Sequence, residues 1–299
     1  MTATTDVPRI TGLLVIEVRN SNPNGDPDRE GAPRQRPDGR GEISPVSLKR
    51  KLRDLVDDKD GPVWSALSSH AGLRADEFAI LETRGRNRGE INQLLNRDLD
   101  KFKKTYWDAR LFGNTFLEES GKDTIRAGVA HFGVGISAAQ VEIAFQTWTN
   151  KSGVEEGKDR GMAPMAFRTV RHGIYAMPFF VNPSQAHKTG CAGRDVDLML
   201  DLLRYAYSHS RSVARAEVDL LHAHTVKHRN PLGSFPDFLL LDALAPRRRD
   251  GSDEPSRSAA DYHVPTWAEI QSSEASGGRN WAALGDYTDH AELARTAGA

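Results

Sequence analysis

Along the chain, apolar positions first cluster at residues 13–18, a run broken only by Glu17 and so the mark of a buried strand. Residues 20–28 (Asn20-Ser21-Asn22-Pro23-Asn24-Gly25-Asp26-Pro27-Asp28) end it with turn formers at almost every position. After a long Arg-rich loop that runs to Ile43, Ser44 can cap a helix and Pro45 suits its first position. Leu48, Leu52, Leu55 and Val56 then fall at i, i+4, i+7 and i+8, which predicts an amphipathic helix of about three turns. A second helix is expected over 89–106, with Ile91, Leu94, Leu95, Leu99 and Phe102 on its apolar face, and a third over 195–209, with Val196, Met199, Leu200, Leu203 and Tyr207 at helical spacing. Residues 125–148 and 169–181 read as strands, residues 150–165 form a Gly- and charge-rich excursion between them, and a last strand is predicted at 218–227 before a turn at 230–233. Strand, loop, helix, strands, helix, strand in this order predicts an α+β sandwich with helices on one face of an antiparallel sheet.

Composition narrows the class. The chain has 299 residues, enough for one large domain or two small ones, and no apolar run approaches the roughly 18 residues of a membrane helix, so no membrane partner is expected. Residues 1–10 lack the pattern of a signal peptide, and the single cysteine, Cys191, can form no internal disulfide or Cys-based zinc site; both point to the cytoplasm. The 40 basic and 41 acidic side chains sum to −1, but they are unevenly spread. Residues 250–299 hold 9 acidic and 3 basic side chains, against 32 and 37 before them. The sequence therefore reads as a basic body, 1–249, and an acidic extension, 250–299, either loosely structured or docked by Tyr262, Trp267, Trp281 and Tyr287.

The basic excess has a focus. Lys49, Arg50, Lys51 and Arg53 surround the apolar stripe of the first helix, and Lys49 and Arg53 lie side by side at i, i+4 with no acid between them. Arg29, Arg34, Arg36 and Arg40 precede it, so residues 34–53 hold seven bases against Asp38 and Glu42. Together they can make a phosphate-binding surface or pair with acids elsewhere, including the extension. Arg168, Arg171 and His172 extend the basic character, and a hairpin at 150–165 carrying Met162 and Met165 can wedge between stacked bases or serve as a surface loop.

Three readings of the 20–28 loop are open. Asp26, Asp28 and Glu30 have the spacing of a calcium loop with Gly31 in place, but Pro27 stiffens it and Pro37 stands where a Glu is required. Asp26 or Asp28 can instead act as a catalytic carboxylate beside a phosphodiester, or the loop is turn chemistry alone. His222, His224 and His228 share one face of the last strand and can hold zinc, yet no third-ligand motif accompanies them and ordinary sheet-surface histidines are the expectation. Phosphate loops, nucleophile elbows and dinucleotide fingerprints are absent, and nothing marks Cys191 as a nucleophile.

Taken in order, Asn22-Pro23-Asn24-Gly25-Asp26-Pro27-Asp28, Ser47-Leu48-Lys49-Arg50-Lys51-Leu52-Arg53 and Asp108-Ala109-Arg110-Leu111-Phe112-Gly113 resemble the Cas7 family of the RAMP superfamily, the backbone subunit of the type I CRISPR-Cas Cascade complex, most closely its type I-B and I-C branch. The resemblance continues through Gly173-Ile174-Tyr175, Lys188-Thr189-Gly190, Arg211 to Glu217, Lys227-His228 and Leu232-Gly233, spanning about residues 11–245. It implies an RRM-like (ferredoxin-like) palm with inserted finger and thumb regions, the thumb a hairpin near 150–168. Copies of such a subunit stack along a CRISPR RNA beside other Cascade subunits and present the guide for pairing with target DNA, without enzymatic activity or cofactor. Carried over by position, Lys49, Arg50, Arg53, Arg110 and the loop residues Asn22 and Asn24 are expected RNA-binding residues, with Met162 and Met165 at the thumb; Asn20, Arg34, Arg168, Arg171 and His172 join them on the turn and basic pattern described above. Related type III backbone subunits cleave RNA with a loop Asp, which makes a ribonuclease using Asp26 or Asp28 the competing reading. A stand-alone RRM-like single-strand binder is the third.

Overall fold

The structure is a computed structural model that describes residues 6–83, 86, 87, 89–91, 93, 98–113, 127–151, 162–272 and 279–292, with the side chains at 148–151 and 162–165 outside that description. The apolar run at 13–18 is the middle of strand β1 (Ile10–Ser21). Its continuity has a physical cause: both faces of this strand are covered. Leu14, Ile16 and Val18 point into the helical layer, whereas Leu13 and Val15 point into two clusters on the opposite face.

The described strands are β2 (Gly25–Asp26), β3 (Ala32–Pro33), β4 (Arg40–Ile43), β5 (Ala130–Phe132), β6 (Gly135–Gln140), β7 (Ile143–Lys151), β8 (Met162–Val181), β9 (Val218–His228), β10 (Arg247–Arg248), β11 (Tyr262–His263) and β12 (Gly285–Asp289). The main sheet has the antiparallel path β12-β9-β1-β8-β6-β4, with β5 and β7 also paired to β8. Helix α1 (Pro45–Asp57) follows β1 and β4, and α2 (Pro62–Ala71), α3 (Leu99–Thr105) and α4 (Trp107–Phe112) come next. Then α5 (Ala186–Thr189) and α6 (Gly193–Leu203) lie between β8 and β9. Taking β1, α1, β6, β8, α6 and β9 alone, the chain runs β-α-β-β-α-β with β1 and β8 in the middle of the sheet, which is the ferredoxin-like arrangement expected of an RRM-like palm.

Helix α1 forms as its sequence predicts. Ser44 Oγ accepts the Ser47 N–H at 3.2 Å, Pro45 opens the helix, and Leu48, Leu52 and Val56 are buried. The third predicted helix appears as α6, which ends at Leu203 rather than His209 and gives way to turns. The continuous helix expected over 89–106 is broken at Asp98, an extended residue whose side chain caps α3 by accepting the Lys101 N–H at 3.0 Å. Strand β4 lies inside the stretch read as an Arg-rich loop, and β7 and β8 run into the 150–165 excursion as paired arms, from Ile143↔Val170 to Lys151↔Met162. Residues 152–161 lie outside the described residues.

Beyond residue 236, several described segments lie across the second face of the sheet. Leu240, Leu241 and Leu244 of α7 (Asp237–Leu244), Ile270 of α8 (Trp267–Ser272) and Trp281 of α9 (Trp281–Leu284) pack on Leu13 and Val226. Tyr262 packs on Val15, Ala139 and Ile174, Trp267 stacks on Tyr287 with centroids 4.3 Å apart, and β12 extends the sheet beside β9. A loose extension is therefore not what residues 250–272 and 279–292 form. Few aliphatics mark this stretch, but its aromatics act as anchors. No helix among the described residues is long and apolar enough to cross a membrane.

Trp281 is almost completely buried. Trp281→Ala is expected to cost about 3–5 kcal/mol, as a core substitution does, read as a lowered denaturant midpoint; a loose extension would leave the midpoint unmoved.

Candidate nucleic-acid interface

Near the end of strand β1, Asn20 is exposed and takes a left-handed φ of 41°. Beyond it Asn22 and Asn24 turn inward and are buried. Asn22 Nδ2 donates to Gly31 O at 2.7 Å, closing the loop, and Asn24 Oδ1 accepts from Ser44 N at 3.2 Å and Ser44 Oγ at 2.7 Å. Asn22 thus closes the loop on itself, and Asn24 fastens it to the N-cap of α1. Asp26 Oδ1 accepts the Asp28 N–H at 3.2 Å and caps the single turn at Pro27–Arg29, so this carboxylate performs turn chemistry.

The four bases of α1 diverge. Arg53 is buried, with Nε 2.9 Å from Asp108 Oδ2 and Nη2 3.1 Å from Glu82 Oε2. Arg50 donates to Asp54 Oδ1 at 2.8 and 2.6 Å and to Glu82 O at 2.6 Å. The acid missing between Lys49 and Arg53 in the sequence is thus supplied to Arg53 by α4, far along the chain. Lys49 is half-buried with its ammonium 5.1 Å from the centroid of the Phe112 ring; burial lowers its pKa, Arg53 adds to the effect, and Glu82 opposes it. Lys51 is buried, with Nζ 5.5 Å from the Tyr207 ring centroid, and its pKa is pushed down to about 8, first by burial and then by Arg215. Arg110 is buried too. Nε and Nη2 hold Asp195 at 3.1 and 2.7 Å, while Lys103 O, Lys104 O and Glu77 O take its other N–H groups. His172 is likewise internal, between Ser256 Oγ at 2.7 Å and Glu17 Oε1 at 3.2 Å. Arg53, Arg110 and His172, which the sequence marks as RNA contacts, are thus engaged inside the protein, and part-exposed Arg50 is held by Asp54 and Glu82 O.

Other predicted residues converge. The 22–31 loop, the β8 arm at Ala166, Phe167 and Arg168, and the turn at Ala214–Arg215 enclose a cleft of about 460 Å³. Asn22 N–H bonds Ala214 O at 2.7 Å and Glu217 N–H bonds Ser21 Oγ at 3.0 Å, so the loop after β1 and the turn before β9 are tied to each other. Arg168 bridges the cleft, donating to Glu30 Oε2 at 2.8 Å and Arg29 O at 3.1 Å, and lies 4.9 Å from the centroid of the Phe145 ring, which is 72% exposed. Arg215, on the exposed turn, is a cleft residue that the sequence did not single out, although it lies in the Arg211 to Glu217 motif. Arg34 stands 3.9 Å from Glu42, and Arg171 3.2 Å from Glu142 at the surface. Arg40, by contrast, pairs with Asp253 at 2.6 Å, an acid of the C-terminal segment. Met162 and Met165 lie in the outer arm of β8, opposite Lys151 and Trp148, with their side chains outside the described part. Cys191 is buried, which raises its thiol pKa and leaves it no nucleophile.

A family model described as "CRISPR-associated protein Cas7" matches residues 8–266. A CRISPR-associated protein Cas7 of Haloferax volcanii is 25% identical over 224 residues, which cover 69% of this chain and 66%, just under two thirds, of that relative. Among solved structures, a chain of a "CRISPR RNA-guided surveillance complex, pre-nicking" gives a TM-score of 0.46 at 14% identity, covering 76% of this chain and 80% of that one. A chain of a "CRISPR RNA-guided surveillance complex" gives 0.41 at 18% identity, covering 82% and 78%.

Arg53→Ala or Arg110→Ala leaves a buried carboxylate unpaired and is expected to cost about 3–5 kcal/mol in chemical denaturation, whereas Arg215→Ala should move stability by no more than about 0.5 kcal/mol. Lys51 supplies a pH test. Between its folded value of about 8 and the ordinary 10.5, the unfolded chain holds the proton and the folded chain does not, so stability rises with pH across that window. Lys59, also pushed down to about 8 by burial, adds to the rise. Lys51→Met should stabilise the protein at pH 7 and flatten its share of the climb in unfolding midpoints measured from pH 7 to 10.

Proposed function

The chain belongs to the Cas7 family, and from that premise we propose that it is a non-enzymatic scaffold that binds a CRISPR RNA. In this reading several copies stack along the guide in a type I Cascade complex, with other Cascade subunits beside them, and present the guide for pairing with target DNA. The observation that carries the proposal is the cleft in which two sequence-distant motifs, the Asn22 loop and the turn at Arg215, meet the Arg168 arm of β8. A single strand needs cationic groups for phosphates and aromatic faces for bases; Arg168 and Arg215 at the cleft supply the first, and exposed Phe145 beside Arg168 the second. Recognition through phosphates leaves sequence to base pairing, as guided effectors require. The paired arms of β7 and β8 supply the thumb hairpin, with Met162 and Met165 on its outer part. Asp26, engaged with the Asp28 N–H, fits a turn better than a nuclease centre.

Co-expressed with the neighbouring genes, the protein should purify in multiple copies on one CRISPR RNA. Absence of any CRISPR RNA, together with no binding to single-stranded RNA at low salt, would refute the scaffold. Arg168→Glu with Arg215→Glu should weaken RNA binding across all sequences and make the slope of log K against log salt shallower by roughly 0.7 for each phosphate that is no longer neutralised. Metal-dependent cutting of paired RNA that disappears in Asp26→Ala or Asp28→Ala would establish a nuclease instead.

A further inference from the structure

Strand β12 brings to β9 a side chain that the histidine spacing alone could not reveal. Asp289 is the register partner of His224, and His222 lies two residues along on the same face of β9. The two imidazoles are nearly parallel, 9° apart, with centroids separated by 4.9 Å. Asp289 Oδ2 stands 2.7 Å from His222 Nδ1 and 3.9 Å from His224 Nδ1. Its other oxygen, Oδ1, accepts the N–H groups of Ala223 at 2.9 Å and Ala291 at 3.0 Å. The backbone therefore sets the carboxylate's orientation and turns Oδ2 toward both rings. Orientation of a ligand by hydrogen bonds at its far side is the usual support of a metal centre.

We propose that His222, His224 and Asp289 bind one divalent transition-metal ion, with zinc the best fit, and that this ion clips β12 to β9. One donor atom from each of the three residues lies within 4.8 Å of the others. Zinc bonds of about 2.0–2.2 Å in a tetrahedron put donors roughly 3.3 Å apart, so the His222–Asp289 contact opens slightly and His224 swings inward. His224 is buried, and its Nε2 has no hydrogen-bond partner. The Tyr287 hydroxyl, 2.8 Å from His224 Nδ1, is a further oxygen at the site. Two imidazoles and one carboxylate suit zinc, cobalt or nickel rather than calcium or magnesium. His228, which the sequence grouped with the pair, takes no part: its Nδ1 accepts the Ser234 N–H at 2.8 Å and its Nε2 lies 2.9 Å from Thr11 Oγ1. Asp289 lies beyond residue 266, where the family match ends, so the ion fastens a segment that the match does not include.

The test uses the full chain without a histidine tag, stripped with a chelator and titrated with Zn2+ by calorimetry and with Co2+ by visible absorption. One ion per chain, a four-coordinate Co2+ spectrum and slower hydrogen exchange in residues 285–289 on Zn2+ addition are expected. His222→Ala, at a half-buried position, and the nearly isosteric Asp289→Asn should each abolish stoichiometric binding while keeping the far-ultraviolet circular dichroism of the parent. The proposal fails if the parent chain binds neither ion stoichiometrically, if folded His222→Ala binds as the parent does, or if binding leaves exchange in β12 unchanged.

Discussion

Two buried arginine–carboxylate pairs hold the helical layer in register. Arg53 of α1 reaches Asp108 of α4, and Arg110 of α4 reaches Asp195 of α6, so three helices are joined by two bonds whose ions are nearly excluded from water. Such pairs hold only where the remaining hydrogen-bonding capacity is met, because desolvation otherwise exceeds the Coulombic gain. Here it is met: Asp108 also accepts the N–H groups of Leu81 and Glu82, and every N–H of the Arg110 guanidinium has an acceptor. The bidentate Arg110–Asp195 fork admits one geometry, so it specifies how α4 and α6 sit as well as how firmly.

This commitment determines which positive charges remain for a ligand. With Arg53 and Arg110 internal and Arg50 held by Asp54, the basic face of α1 shrinks to Lys49 and buried Lys51, and the cleft beyond it carries exposed Arg215 together with Arg168, which is paired with Glu30. Two acidic residues past 250 act locally. Asp253 neutralises Arg40, and Asp289 engages His222 and His224. The net charge of −1 is therefore a sum over specific local pairings, and it carries no information about the sign of the cleft.

Local signals were legible in the sequence, and distant pairings were not. The Ser44 cap, the Leu48–Leu52–Val56 stripe and the apolar run of β1 each act within a few residues, and each appears as expected. The role of Arg53 depends on a carboxylate 55 residues away, that of Arg110 on one 85 residues away, and the partner of His222 lies 67 residues downstream. Composition could not foresee them, because basic residues bound for carboxylates and those bound for phosphates are the same residues. The C-terminal layer was hidden for a different reason: Tyr262, Trp267, Trp281 and Tyr287 bury large areas each, so a stretch with few aliphatics still docks.

That layer constrains how a single strand can be held. RRM sheets commonly stack bases on aromatics displayed on the open face of the sheet. Here one face carries α1 and α6, and the other carries α7, α8, α9 and the Tyr262 segment, which bury Leu13, Val15 and Val226. Bases cannot reach either face of the central strands without displacing a core. The accessible chemistry lies instead at the end of β1, where buried Asn22 and Asn24 pin the loop, hydrogen bonds join it to the 214–217 turn, and the β7–β8 hairpin contributes Arg168 and Phe145. Under the proposed function, a sheet covered on both faces favours a strand that runs past the end of β1 over one that lies across the sheet, and a strand so placed can continue to a further copy.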